Sequence, residues 1–202
     1  MPKSNFLQKH SLILVVYSIV FLLITVGSIY SERFLTLRNL TNVLRQAAYL
    51  GTAALGEMLV ILTAGIDLSI GSLVKLSVLI SAILMDGNPD NVMMAVGLTL
   101  ALGLGVGFLH AFFINELNLS PFVVTFASLF ILQGISLTIT TKPIGRSSKD
   151  FLLLYSQKFF EVPIIVYFFG LVTLLIAFLL NMTVFGKHIY AVGGNPTVCL
   201  LY

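Results

Sequence analysis

The chain is 202 residues long, 58% of them hydrophobic and 9% charged, with a mean hydropathy of +1.04. A soluble domain carries roughly 25% charged residues, so this chain cannot cover itself with a water-compatible surface and reads as an integral membrane protein. The formal net charge is +3 with no Lys/Arg-rich run, which argues against nucleic-acid binding, and the single cysteine, Cys199, excludes an internal disulfide framework and a cysteine-rich metal site.

Lys3, Lys9 and His10 precede a first apolar run over 11–30. Its length of about twenty residues suits a spanning helix, and no Ala-x-Ala cleavage site follows, so it reads as a retained helix rather than a signal peptide. Further spans are expected over 46–64, 68–85, 92–114, 122–141 and 163–181. The turn residues Asp86-Gly87-Asn88-Pro89-Asp90-Asn91 separate the third span from the fourth. Pro121 is expected to open the fifth, near the first-turn position where its missing N–H costs least. The expected fold is all-α: a polytopic membrane helical bundle with about six transmembrane helices, forming one domain over 1–202. Gly97, Gly103, Gly105 and Gly107 in the fourth span are read as packing positions that let another helix approach.

Charge placement conflicts with one orientation. With the N-terminus inside and six spans, the inner segments hold Lys3, Lys9 and Lys187, whereas the outer ones hold Arg33, Arg38, Arg45, Lys142, Arg146, Lys149 and Lys158. That is the wrong bias for a cytoplasmic N-terminus. An inverted chain, a segment that fails to cross, or interfacial helices at 31–45 and 142–161 would each account for it.

Two features inside the membrane carry chemistry. The first is the polar segment Gly65-Ile66-Asp67-Leu68-Ser69-Ile70-Gly71-Ser72 between two apolar runs. Non-helical backbone at membrane depth must be buried in protein or line water, and an intramembrane aspartate is costly. Gly65, Asp67, Ser69, Gly71 and Ser72 are therefore candidates for a hinge or the wall of a solute passage; a short surface turn is the plainer reading. The second is the pair Glu57 and Lys75, each nine residues from Ile66. On an antiparallel helix hairpin both would lie about 13–14 Å from the turn, where an ion pair would offset their cost.

Catalytic and metal signatures are lacking in the sequence. His10, His110 and His188 show no metal-ligand spacing, and His110 reads as a packed, hydrogen-bonded side chain. Ser69 and Ser72 lack a Gly-x-Ser-x-Gly elbow and a partner base, and no Walker A loop is present. No cofactor is expected on this chain.

The stretch from Leu55 to Ser72, Leu-Gly-Glu-Met-Leu-Val-Ile-Leu-Thr-Ala-Gly-Ile-Asp-Leu-Ser-Ile-Gly-Ser, closely resembles the hallmark segment of ribose-type ABC transporter permeases. Three more blocks follow the same family's order: Phe34-Leu35-Thr36-Leu37-Arg38-Asn39-Leu40, Ser120-Pro121-Phe122-Val123-Val124-Thr125, and Phe185 to Asn195. The resemblance implies a multi-pass subunit of the bacterial cytoplasmic (inner) membrane that imports a monosaccharide and is not itself an enzyme. It implies a cytoplasmic ATP-binding subunit that holds the ATP and Mg, a periplasmic or lipid-anchored sugar-binding protein, and a second permease copy, as homodimer or heterodimer. It also implies that Gly193, Gly194 and Asn195 lead into a cytoplasmic coupling segment over 183–202, with the N-terminus inside. Lys75 departs from the family, which more often has a small or apolar residue there. Val198-Cys199-Leu200-Leu201-Tyr202 also departs, and the resemblance is to the N-terminal part of a longer permease. An ATP-independent transporter or channel is the alternative, and an intramembrane enzyme a weaker one.

Overall fold

A computed structural model defines the backbone of residues 6–194 and the side-chain surroundings from residue 13 onward. The fold is all-α. Its helices are α1 (Phe6–Tyr30), α2 (Leu37–Leu62), α3 (Ile70–Met85), α4 (Val92–Ala111), α5 (Pro121–Ile139), α6 (Lys149–Ser156), α7 (Ile164–Met182) and α8 (Val184–Gly194). A 3-10 turn at Pro89–Asn91 leads into α4, a π-type turn at Phe112–Glu116 continues it, and β1 (Lys158–Phe159) pairs antiparallel with β2 (Val162–Pro163).

Among the described residues four segments are long and apolar enough to cross a membrane: Ile13–Tyr30, Pro89–Glu116, Pro121–Ile139 and Ile164–Met182. The other two expected spans differ in instructive ways. α3 has 16 residues, roughly 24 Å at 1.5 Å per residue, short of a hydrocarbon core of about 30 Å. α2 has 26 residues and starts at Leu37, well before the expected 46, because Thr36 caps it: the Asn39 N–H reaches the Thr36 hydroxyl and the Leu40 N–H the Thr36 carbonyl. Its first turns therefore carry Arg38, Asn39 and Arg45, which makes the helix amphipathic.

The chain divides into two compact units, Met1–Gln46 and Ala47–Tyr202. In the first unit the window Ile13–Tyr30 has the hydropathy of a membrane span and none of its residues is buried, and the hydroxyls of Ser18, Thr25 and Ser28 donate to carbonyls of their own helix. Within this first unit, Gly27 lies against the Phe34 ring and the Asn39 amide donates to the Phe34 carbonyl at 2.7 Å, which orders the turn between α1 and α2.

In the second unit α3 is central, packing on both α4 and α5, while α7 packs on α6 and α8. The buried apolar residues include Leu76, Met85, Ala95, Val124, Leu132, Leu180 and Ile189. Most other large apolar side chains face outward, Leu104 at 76% and Phe108 at 73% exposure among them, as expected where the solvent is lipid. Within the described chain, the glycines of the fourth span do not receive another helix. A Cβ at Gly97, Gly103, Gly105 or Gly107 would meet nothing within 4 Å, because α4 packs through the face that carries Ala95 and His110.

The unit has two distinct ends. At one, the Gly87 N–H donates to the Arg146 carbonyl at 2.8 Å and the Arg146 N–H to the Ala82 carbonyl at 3.1 Å, joining the 86–91 turn to the loop after α5. At the other, the α2–α3 junction, the π-type turn, the start of α5 and α8 converge.

Candidate functional site at the α2–α3 junction

α2 ends in a Schellman motif. The Gly65 N–H donates to the Val60 carbonyl at 3.0 Å and the Ala64 N–H to the Ile61 carbonyl at 2.9 Å, while Ala64 takes the left-handed conformation at φ +60°. The glycines of the polar segment do not take the left-handed position. The left-handed residue is Ala64, and Gly71 already lies inside α3 with open space around it. Ser72 is likewise helical, so the irregular stretch is 63–69 rather than 65–72.

Asp67 and Ser69 build the start of α3. One Asp67 oxygen, Oδ1, accepts both the Ser69 N–H and the Ser69 hydroxyl at 2.7 Å each, and Ser69 is fully buried. This Asx arrangement fixes the entry of the chain into the helix and puts negative charge near its positive end. Glu57 supports the same turn from α2: its Oε1 accepts the Asp67 N–H at 3.4 Å, while its Oε2 is buried with no hydrogen-bond partner.

The expected Glu57–Lys75 ion pair is not formed. Among the described residues the ion pair is Lys158–Glu161 at 3.3 Å, between exposed side chains. The hairpin premise fails physically, since α3 packs on α4 and α5 instead of lying along α2. Lys75 is exposed and lines a separate groove toward the far end of α3.

Two contacts tie the junction to the bundle. Thr125 of α5, 2% exposed, shares its hydroxyl proton between the Ile66 carbonyl at 3.1 Å and the Pro121 carbonyl at 2.9 Å. Gly193 of α8 lies so close to the Leu62 carbonyl that a methyl group there would collide with it. Gly194 faces open space, and Asn195 lies outside the described residues. The sequence placed Thr125 at the opening of a helix and Gly193 in a coupling segment, but gave no sign that either reaches the end of α2.

These elements enclose a cavity of about 500 Å³ whose polar lining comes from Thr63, Asp67, His110, Asn115 and Thr125. His110 is buried, and its Nε2 lies 2.8 Å from the Ser128 hydroxyl of α5, which bears out its reading as a packed, hydrogen-bonded residue. Volume and lining suit a small polar solute: mostly apolar walls with a few directed hydrogen-bonding groups. No group of three potential metal ligands occurs among the described residues.

An all-helical bundle with four described helices long and apolar enough to cross a membrane has the make-up of a multi-pass membrane protein. The chain belongs to the family described as branched-chain amino acid transport system / permease component, whose model matches residues 39–201. The D-allose transport system permease protein of Escherichia coli is 33% identical over 170 residues, covering 84% of this chain and 52% of that protein. The ribose import permease protein of Escherichia coli is 33% identical over 184 residues, covering 89% and 57%. The galactose/methyl galactoside import permease protein of Escherichia coli is 29% identical over 201 residues, covering 90% and 60%. The chain thus spans a little over half the length of these relatives. No solved structure matches it.

Proposed function

We propose that the chain is a membrane-spanning permease subunit of a bacterial ABC importer for a monosaccharide, in the cytoplasmic membrane. The names of its relatives support this substrate class: allose, ribose and galactose permeases cover most of the chain. The structural observation that carries the reading is the junction cavity, where Thr63, Asp67, His110, Asn115 and Thr125 offer hydrogen-bonding groups suited to sugar hydroxyls. A permease needs such contacts to be few and weak, since tight binding would stall release, and alternating access exposes the route to each side in turn. Asp67 and Ser69 set the direction of α3, with Glu57 bracing the turn, so this junction acts as the pivot of that helix.

In this reading a separate ATP-binding subunit, holding ATP and Mg, docks at the end formed by α8, with Gly193 and Gly194, and Asn195 belongs to the same coupling segment of the sequence. A sugar-binding protein delivers solute at the opposite end, and a second permease copy completes the pore. The subunit itself performs no covalent chemistry. The family description favours a second substrate class, branched-chain amino acids. Vesicle uptake of labelled ribose, allose, galactose and leucine, with and without the ATPase and binding protein, separates these readings. Sugar uptake that requires both partners is expected. Uptake that survives their removal, or uptake of leucine alone, overturns the assignment.

A further inference from the structure

Lys75 is a charge that the α2–α3 junction leaves unused. It sits on α3 among Leu73, Val74, Leu76 and Val78, and its amine has no ion-pair or hydrogen-bond partner among the described residues. A charge in a membrane helix is costly and is ordinarily matched by a partner. Its surroundings indicate what that partner is. Lys75, Val78 and Ala82 follow one face of α3, and with Ser136 of α5 and Thr140 and Lys142 of the following loop they line a groove of about 380 Å³. Among the described residues no carboxylate lines it. Two cations thus face one cavity with nothing in the described chain to neutralise them.

The groove is also held in shape. The Thr140 hydroxyl donates to the Lys142 carbonyl at 2.7 Å and accepts the Lys142 N–H at 3.0 Å, which locks the loop that carries the second amine. Farther along, Gly145 at φ +75° lies against the Ala82 backbone, and the Arg146 N–H bonds the Ala82 carbonyl, clamping the loop onto α3. A side chain at Gly145 would collide with that backbone, so the close approach requires glycine. A site fixed in this way spends little ordering entropy when it binds.

We propose that this groove between α3 and α5 binds the phosphate of an anionic phospholipid. Lysine ammonium groups serve as point charges for phosphate. The remaining walls, including Val78, Leu79, Leu137 and Ile144, are apolar and suit the start of an acyl chain rather than a free hydrated ion. The site is separate from the junction cavity, and its assignment does not depend on which solute the permease carries.

Native mass spectrometry tests the proposal on the purified full chain in an uncharged detergent, offered equal amounts of phosphatidylglycerol and phosphatidylcholine. The wild-type protein is expected to retain phosphatidylglycerol preferentially. Lys75→Met and Lys142→Met are each expected to weaken that preference roughly fivefold. Lys75→Arg should keep it, and Lys187→Met, on α8, should leave it unchanged. Lys142 lies on an exposed loop, so its variant carries the test if Lys75→Met fails to fold. Equal retention of both lipids by the wild type, or a preference untouched by Lys75→Met and Lys142→Met, overturns the proposal. Lysine-dependent binding of inorganic phosphate without phosphatidylglycerol retention also overturns it, since the site would then serve a soluble anion.

Discussion

The hydroxyl of Thr125 donates to the carbonyl of Ile66 at 3.1 Å, linking α5 to the α2–α3 junction across 59 residues of sequence. This contact makes the junction part of the bundle instead of a free turn. Thr125 is buried, so Thr125→Val removes the donor while keeping the shape. The loss of such a bond costs about 1 kcal/mol, and up to about 3 if the carbonyl stays unpaired. Thermal unfolding of the purified protein should show the loss, together with faster proteolysis between residues 62 and 70. An unchanged melting curve and cleavage pattern would mean that the junction holds without α5.

Ala64 occupies a left-handed position, φ +60°, where α2 ends. Glycine accepts that conformation freely, whereas a Cβ costs roughly 1–2 kcal/mol, part of which is returned by the greater freedom of glycine in the unfolded chain. Ala64→Gly is therefore expected to raise stability by about 0.5 kcal/mol. Ala64→Val, branched at Cβ, should lower it by more than 1 kcal/mol. Measuring both variants by the same denaturation assay checks the order wild type below glycine and above valine; any other order argues against the Schellman ending.

Adjacent glycines in α8 should behave differently. A Cβ on Gly193 would strike the Leu62 carbonyl oxygen, while one on Gly194 would meet nothing within 4 Å. Gly193→Ala must push α8 away from the end of α2, at a cost of about 1–3 kcal/mol typical of overpacking. Gly194→Ala should be neutral or slightly favourable, since alanine is the better helix former. If α8 couples ATP hydrolysis to the junction cavity, Gly193→Ala will also depress ATP-dependent uptake more than its loss of stability explains. Equal tolerance of the two substitutions would show that the close contact is not maintained.

How far the sequence carried the reading depends on the length scale of each feature. Long apolar runs revealed α1, α4, α5 and α7, because a helix satisfies its own backbone and hydrophobicity alone marks it. Pro121 located the start of α5 for a purely local reason. The start of α2 was missed because Arg38 and Arg45 interrupt its apolar pattern, although Thr36 signals the cap. At the site, Asp67 and Ser69 stood out in the sequence as polar residues between apolar runs, and the structure joins them in an Asx turn, a local motif that closes within three residues. Thr125, Gly193 and the failure of the Glu57–Lys75 pair depend instead on which helices become neighbours. Spacing from Ile66 could place both charges at one depth but could not say that α3 would pack on α4 and α5.

Orientation is the remaining property that the fold makes testable. Asn88 lies at the end of the second unit where Gly87 bonds Arg146, and exposed Leu117 lies near the junction end. That first end carries Lys142, Arg146, Lys149 and Lys158, an arrangement that by the positive-inside rule would face the cytoplasm. The proposed importer requires the reverse, with α8 and Leu117 inside. Lys158 is paired with Glu161 at 3.3 Å and Lys142 lines the lysine groove, but both stay cationic. The rule and the importer reading thus make opposite predictions, and the importer reading puts the Asn88 end outside. In a Cys199→Ser background, a membrane-impermeant maleimide applied to intact cells should therefore label Asn88→Cys and spare Leu117→Cys. Inverted vesicles should reverse the pattern. Labelling of Leu117→Cys from outside intact cells would place the junction cavity and α8 on the outer face, and the coupling role proposed for α8 would then be untenable.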